Sequence, residues 1–183
     1  MWQSSAAPGA CRLATLEGYK RSYELCRGLS LAAAFPKNAR APMAGKGTLT
    51  DDLSNTDGIK VCSMRLVELL QGAGVAHVEY LPVTILDAKC AVASKDYRIV
   101  NPVGLVDALD RAASKPKYNL LDKEQIDFVR RTVLDPSKLD PARRVFRLAG
   151  FRRPVFIDKK LADALLEAGM VGSYFHPLES FAA

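Results

Sequence analysis

Ser63-Met64-Arg65-Leu66-Val67-Glu68-Leu69-Leu70-Gln71-Gly72-Ala73-Gly74, continuing as Val75-Ala76-His77-Val78-Glu79-Tyr80-Leu81-Pro82, is the stretch from which the fold is read. Ser63 has the side chain of an N-cap, which accepts a hydrogen bond from a first-turn N–H. Leu66, Val67, Leu69 and Leu70 then fall at helical spacing, with Arg65, Glu68 and Gln71 outside. Gly72 and Gly74 close the helix, because glycine tolerates the positive φ of a helix C-terminus. Ile59 to Cys62, with apolar Ile59 and Val61, reads as a strand entering the helix, and Val75 to Ile85 as the strand leaving it. Val78, Tyr80 and Pro82 share one side of that second strand. Pro82 has no N–H to give to a ladder, so an edge position or a bulge is expected there.

The pattern returns near the end of the chain. Asp158 caps a helix whose apolar face is Leu161, Ala164 and Leu165, Gly169 ends it, and Ser173 to His176 forms a strand before Pro177. Ser63 aligns with Asp158, Leu66 with Leu161, Leu70 with Leu165, Gly74 with Gly169, Tyr80 with Phe175 and Pro82 with Pro177, each pair 95 positions apart. The expected fold is therefore α+β, with a mostly antiparallel sheet, a strand–helix–strand unit occurring twice, and helices packed on the sheet. The matched positions are caps, core residues and turn formers, which build a scaffold and supply no chemistry.

Working outward, Asp87 to Cys90 reads as a turn and Tyr97 to Val100 as a strand pairing back on the one before it. Val103 to Leu109 suits a short helix or a strand equally, and Ala112 to Asn119 reads as a polar connection. Val145 to Leu148 and Val155 to Ile157 read as strands. Before Ile59 regularity is lost: Tyr19 to Leu31 has no clear period, and residues 36–47 are rich in Pro and Gly, as in an extended arm. The expected division is an irregular N-terminal arm and loop over 1–58 and an α+β domain over 59–183, forming one compact unit.

Of 183 residues, 49% are hydrophobic and 25% charged, the balance of a folded domain and not of a disordered chain. No apolar run reaches the ~18–20 residues of a membrane span. Met1 to Ser5 shows no secretory signal pattern. Cys11, Cys26, Cys62 and Cys90 are widely spaced, with no C-x-x-C pair, which predicts reduced thiols and a cytoplasmic location.

Chemistry is sparse. A Cys–His nucleophile pair would have to draw on Cys62 or Cys90 with His77 or His176, and no glycine elbow marks either thiol. Asp51, Asp52 and Asp57 lack the alternating ligands and final Glu of a calcium loop, so turn chemistry is the better account. Gly45-Lys46-Gly47-Thr48 lacks the upstream glycine of a phosphate loop. Asp107 and Asp110 read as solvated carboxylates. Neither cofactor nor metal is expected. The distinctive surface feature is arginine: Arg130-Arg131, Arg143-Arg144 with Arg147, and Arg152-Arg153. The net charge is +6. Such arginines fit a solvated face, an acidic protein partner, or nucleic acid, since Phe128, Phe146 and Phe151 interleave with them. Strand aromatics of this kind are more often core.

The segments Gly74 to Asp87, Tyr97 to Asp107 and Arg144 to Phe151, together with Asn55-Thr56-Asp57-Gly58 and Ala168-Gly169-Met170-Val171-Gly172, resemble the myxobacterial-type immunity protein family of bacterial polymorphic toxin systems. The resemblance runs from about Tyr23 to Leu178. It implies a small α+β protein that binds and neutralises a cognate toxin encoded nearby, and it brings no catalytic residues with it. The seven arginines are then the candidate partner-binding residues, and a homo-oligomer is left open. A cysteine-dependent enzyme and a basic nucleic-acid-binding module are the alternatives. The first twenty residues offer no convincing opening strand.

Overall fold

The structure, a computed structural model, describes residues 1–5 and 7–178. In chain order its elements are β1 (Trp2–Ser4), a 3-10 turn (Ser22–Cys26), β2 (Arg40–Pro42), β3 (Asp52–Leu53), β4 (Lys60–Ser63), α1 (Met64–Gly72), β5 (Val78–Leu86) and β6 (Val92–Pro102). There follow β7 (Leu105–Val106), α2 (Arg111–Ser114), β8 (Pro116–Tyr118), β9 (Ile126–Val129), a 3-10 turn (Pro136–Lys138), β10 (Val145–Leu148), β11 (Phe156–Ile157), α3 (Lys159–Glu167) and β12 (Ser173–Phe175). The class is α+β.

The main sheet runs β2-β5-β6-β4-β3, antiparallel except where β2 lies parallel to β5. Its strands alternate between two cores, as a pleat requires. Val61, Leu81, Val83, Tyr97 and Ile99 face the first core, which the irregular N-terminal residues fill from Cys11 to Ala41. Cys62 and Val100 face the second, where α1 and α3 contribute Leu66, Leu70, Leu161 and Leu165. A third core lies around the sheet β11-β10-β7 and joins Phe146, Phe151 and Phe156 to Ile126 and Val129 of the β8–β9 hairpin.

Both helices carry the local chemistry read from sequence. Ser63 Oγ accepts the Leu66 N–H at 3.3 Å and Asp158 Oδ1 accepts the Leu161 N–H at 3.0 Å. Gly74 and Gly169 have φ of 70° and 68°, which glycine adopts at least cost. The sheet surroundings differ: β4 and β5 share a sheet with β6 between them, whereas β11 and β12 belong to separate sheets. The helix ends are cross-tied. Arg65, in the first turn of α1, donates to the Ala168 carbonyl after α3 at 2.6 Å. Arg144, bonded to the α3 cap Asp158, donates to the Ala73 carbonyl after α1 at 2.9 Å. Each helix thus starts beside the end of the other, and the arginines satisfy carbonyls that helices leave unpaired.

Several expectations need correction. The apolar face of α3 is Leu161, Ala162 and Leu165, with Ala164 exposed, and Leu69 of α1 is also exposed. Residues 112–119 are not a plain connection, because they contain part of α2 and the strand β8. The open segment after Val103 resolves as strand β7. The opening strand exists: Trp2, Gln3 and Ser4 pair with Phe175, Tyr174 and Ser173. Pro82 lies in β5 beyond the residues paired to β2, where no ladder N–H is required on that side.

Candidate partner-binding surface

The seven candidate arginines divide into two groups. Arg147 is 1% exposed. Its Nη1 donates to the backbone carbonyls of Arg152 and Arg153 at 2.8 and 2.5 Å, and burial lowers its pKa. Arg143 donates to the Val103 carbonyl at 2.9 Å and lies against Gly104, where a Cβ would meet Nη1 at 2.9 Å. Arg144 is the clamp between the helices. Burial pushes the Asp158 carboxyl up, but the Arg144 hydrogen bond and the Leu161 N–H outweigh it and hold the carboxyl below its ordinary value. Arg152 is half-buried. Of the seven, Arg130, Arg131 and Arg153 are exposed, and Arg153 lines a cleft of about 370 Å³ that neither of the other two lines. The seven do not make one docking face.

That cleft is floored by a buried polar network missed in the sequence. The Trp2 indole N–H donates to Asp52 Oδ2 at 2.8 Å, and the Ser173 hydroxyl reaches the same oxygen at 3.1 Å. Ser4 Oγ donates to Asp52 Oδ1 at 2.6 Å while accepting from Lys60 Nζ at 2.8 Å. Burial lowers the Lys60 pKa, opposed by the Asp52 charge. The network ties β1, β3, β4 and β12 together with a single carboxylate that accepts three donors, the usual condition for burying a charge. Little in the sequence signals it: Asp52 sits between Asp51 and Leu53 and is one of three aspartates read as turn formers. Those aspartates point three ways: Asp51 to Ser63 and Arg65, Asp52 into the network, and Asp57 to the Leu16 N–H at 2.7 Å.

The thiols are all free, with Cys11 and Cys62 buried and Cys90 exposed. Burial, and then the Asp52 charge, push the Cys62 thiol well up; burial raises Cys11 as well. Both are held in the unreactive protonated form. His176 packs edge-on against Tyr174, with ring centroids 4.4 Å apart. Asp110 caps α2 through the Ala113 N–H, and Asp107 pairs with Arg111, so these two carboxylates have separate partners. No helix is long and apolar enough to cross a membrane among the described residues.

Of the three phenylalanines that interleave with the arginines, Phe146 and Phe151 are core. Phe128 faces outward from β9, and Lys117 of β8, its register partner, holds its ammonium 5.7 Å above the ring. Arg130 and Arg131 follow directly at the end of that strand. The β8–β9 hairpin thus presents an exposed aromatic ring and basic side chains together.

No curated protein matches the chain. The immunity protein family (Imm11) matches over residues 21–180, which takes in the main sheet, both longer helices and the β8–β9 hairpin. With nearly its whole length covered by that match, the chain belongs to the immunity protein family (Imm11).

Proposed function

We propose that this chain neutralises a cognate toxin of a bacterial polymorphic toxin system by direct protein–protein contact, acting in the cytoplasm and without catalysis. The observation that carries the reading is the family match over residues 21–180. The physical character of the molecule supports it: the two buried thiols are held protonated, and the buried charges are spent on tying strands and helices together. The surface charge narrows the mode of contact. A net charge of +6 does not imitate nucleic acid. The toxin therefore presents acidic groups, or the contact lies away from any nucleic-acid-binding cleft.

Co-expression tests this directly. The polypeptide encoded beside this gene is produced in a bacterial host with and without the chain. Growth arrest relieved by the chain, with both proteins recovered as one complex, is the expected result. Unrelieved arrest with no complex sinks the proposal.

A further inference from the structure

Leu120 and Leu121 are 84% and 97% exposed and belong to none of the three cores, yet the turn that carries them is tightly built. Asn119 Oδ1 accepts the N–H groups of Leu121 and Asp122 at 2.8 and 3.0 Å, and its amide donates to the Asp127 carboxylate across the hairpin. The Asn119 N–H closes on the Gln125 carbonyl at 2.8 Å. At the base, the Ile126 N–H bonds to the Gly150 carbonyl, and Ile126 and Val129 plug into the third core. Two adjacent leucines are thus held in water on a preorganised tip, which no folding requirement explains. Contiguous exposed apolar groups on a fixed scaffold mark an interaction site, and preorganisation lowers the cost of docking.

Charge identifies the occupant. Residues 115–131 hold five cations and three carboxylates. Asp122 and Asp127 are engaged inside the hairpin, accepting from Glu124 N–H and Asn119. Lys117, Arg130 and Arg131 stand exposed beside Tyr118 and Phe128, and neither arginine makes an ion pair among the described residues. A nucleic acid would use the two aromatic faces but gains nothing from two leucines, and its phosphates would meet Glu124 and its neighbours. A protein with an apolar depression rimmed by Asp and Glu satisfies both halves of the surface.

We propose that the β8–β9 hairpin is the toxin-docking element, with Leu120 and Leu121 entering an apolar depression and Lys117, Arg130 and Arg131 meeting carboxylates at its rim. This rests on the reading that the chain binds a toxin. The test uses the full-length chain and the polypeptide encoded beside its gene, comparing wild type, the double variant L120D/L121D, R130E/R131E and the control L166D, whose leucine is exposed on α3. Wild type and L166D are expected to protect growth, while L120D/L121D fails and binds about thirty-fold or more weakly; R130E/R131E is expected to bind more weakly and with less dependence on salt. Amide hydrogen exchange of the wild-type complex, expected to show new protection across residues 117–131, gives a readout independent of variant folding. Failure of the wild type itself to protect removes the toxin-binding reading and this inference with it. Protection by wild type and by folded L120D/L121D alike, or no new protection in the hairpin, overturns the docking assignment alone. Salt-sensitive binding of single-stranded oligonucleotide that is lost in Phe128→Ala, with no toxin complex, overturns it in favour of nucleic acid.

Discussion

The Lys60 ammonium lies 3.6 Å from the Asp52 carboxylate with both side chains almost fully buried, and Ser4 bridges the two. The two partners are not equivalent. Removing Asp52 leaves a buried ammonium with the Ser4 hydroxyl and the Trp2 ring face but no counter-charge, whereas removing Lys60 leaves a carboxylate that still accepts from Trp2, Ser4 and Ser173. Asp52→Ala is expected to cost about 3–5 kcal/mol, as for one half of a buried pair. Lys60→Met is expected to cost at least about 1 kcal/mol less, given the carboxylate's remaining hydrogen bonds. Urea denaturation of both variants checks the order; equal losses would contradict the asymmetry.

The arginines separate by role in the same kind of experiment. Arg144→Ala removes the bond to the Ala73 carbonyl and the ion pair to Asp158, and is expected to destabilise by about 1–3 kcal/mol. Lys in its place recovers only part, because one ammonium does not reproduce the forked contact. Arg130→Ala and Arg131→Ala, at exposed positions, are expected to stay within about 0.5 kcal/mol of wild type. Denaturant midpoints decide it, and a stability-neutral Arg144→Ala would return that residue to the candidate binding set.

Acid should expose the tie between the N-terminal segment and the sheet. Burial raises the Glu79 carboxyl, but Ser30 Oγ, the Leu31 N–H and the Asn101 amide together bring it below its ordinary value of 4.5. A carboxyl depressed in the folded state binds its proton more readily when unfolded. Its contribution is therefore complete above about pH 4.5 and is lost as pH falls through the lower folded value. Glu79→Gln is expected to be less stable near neutrality and to show a shallower loss in this acid range. Parallel stability–pH curves for the two proteins would show that Glu79 is not the group responsible.

What the sequence disclosed follows from how local the physics is. Ser63, Asp158, Gly74 and Gly169 were legible because a cap or a positive φ is decided within a few residues. β1 was not, since three residues alone make no strand and Trp2–Ser4 is fixed by β12 at the other end of the chain. Arg147 read as surface because it is charged, although its apolar neighbours Val145, Phe146 and Leu148 signalled a strand covered on both faces. β8 was missed because Pro116-Lys117-Tyr118 is short and polar; the Asn119 turn was the available clue.

The pairing of β1 with β12 also sets a clock. During synthesis at about 5–20 residues per second, Trp2 waits roughly ten to thirty seconds for Phe175. The Asp52 carboxylate, meanwhile, lacks the Ser173 hydroxyl that helps to shield it. The nascent chain thus carries an unfinished seam until β12 arrives, a pairing of large sequence separation that closes late. Under the function proposed above, protection would come from finished copies already in store.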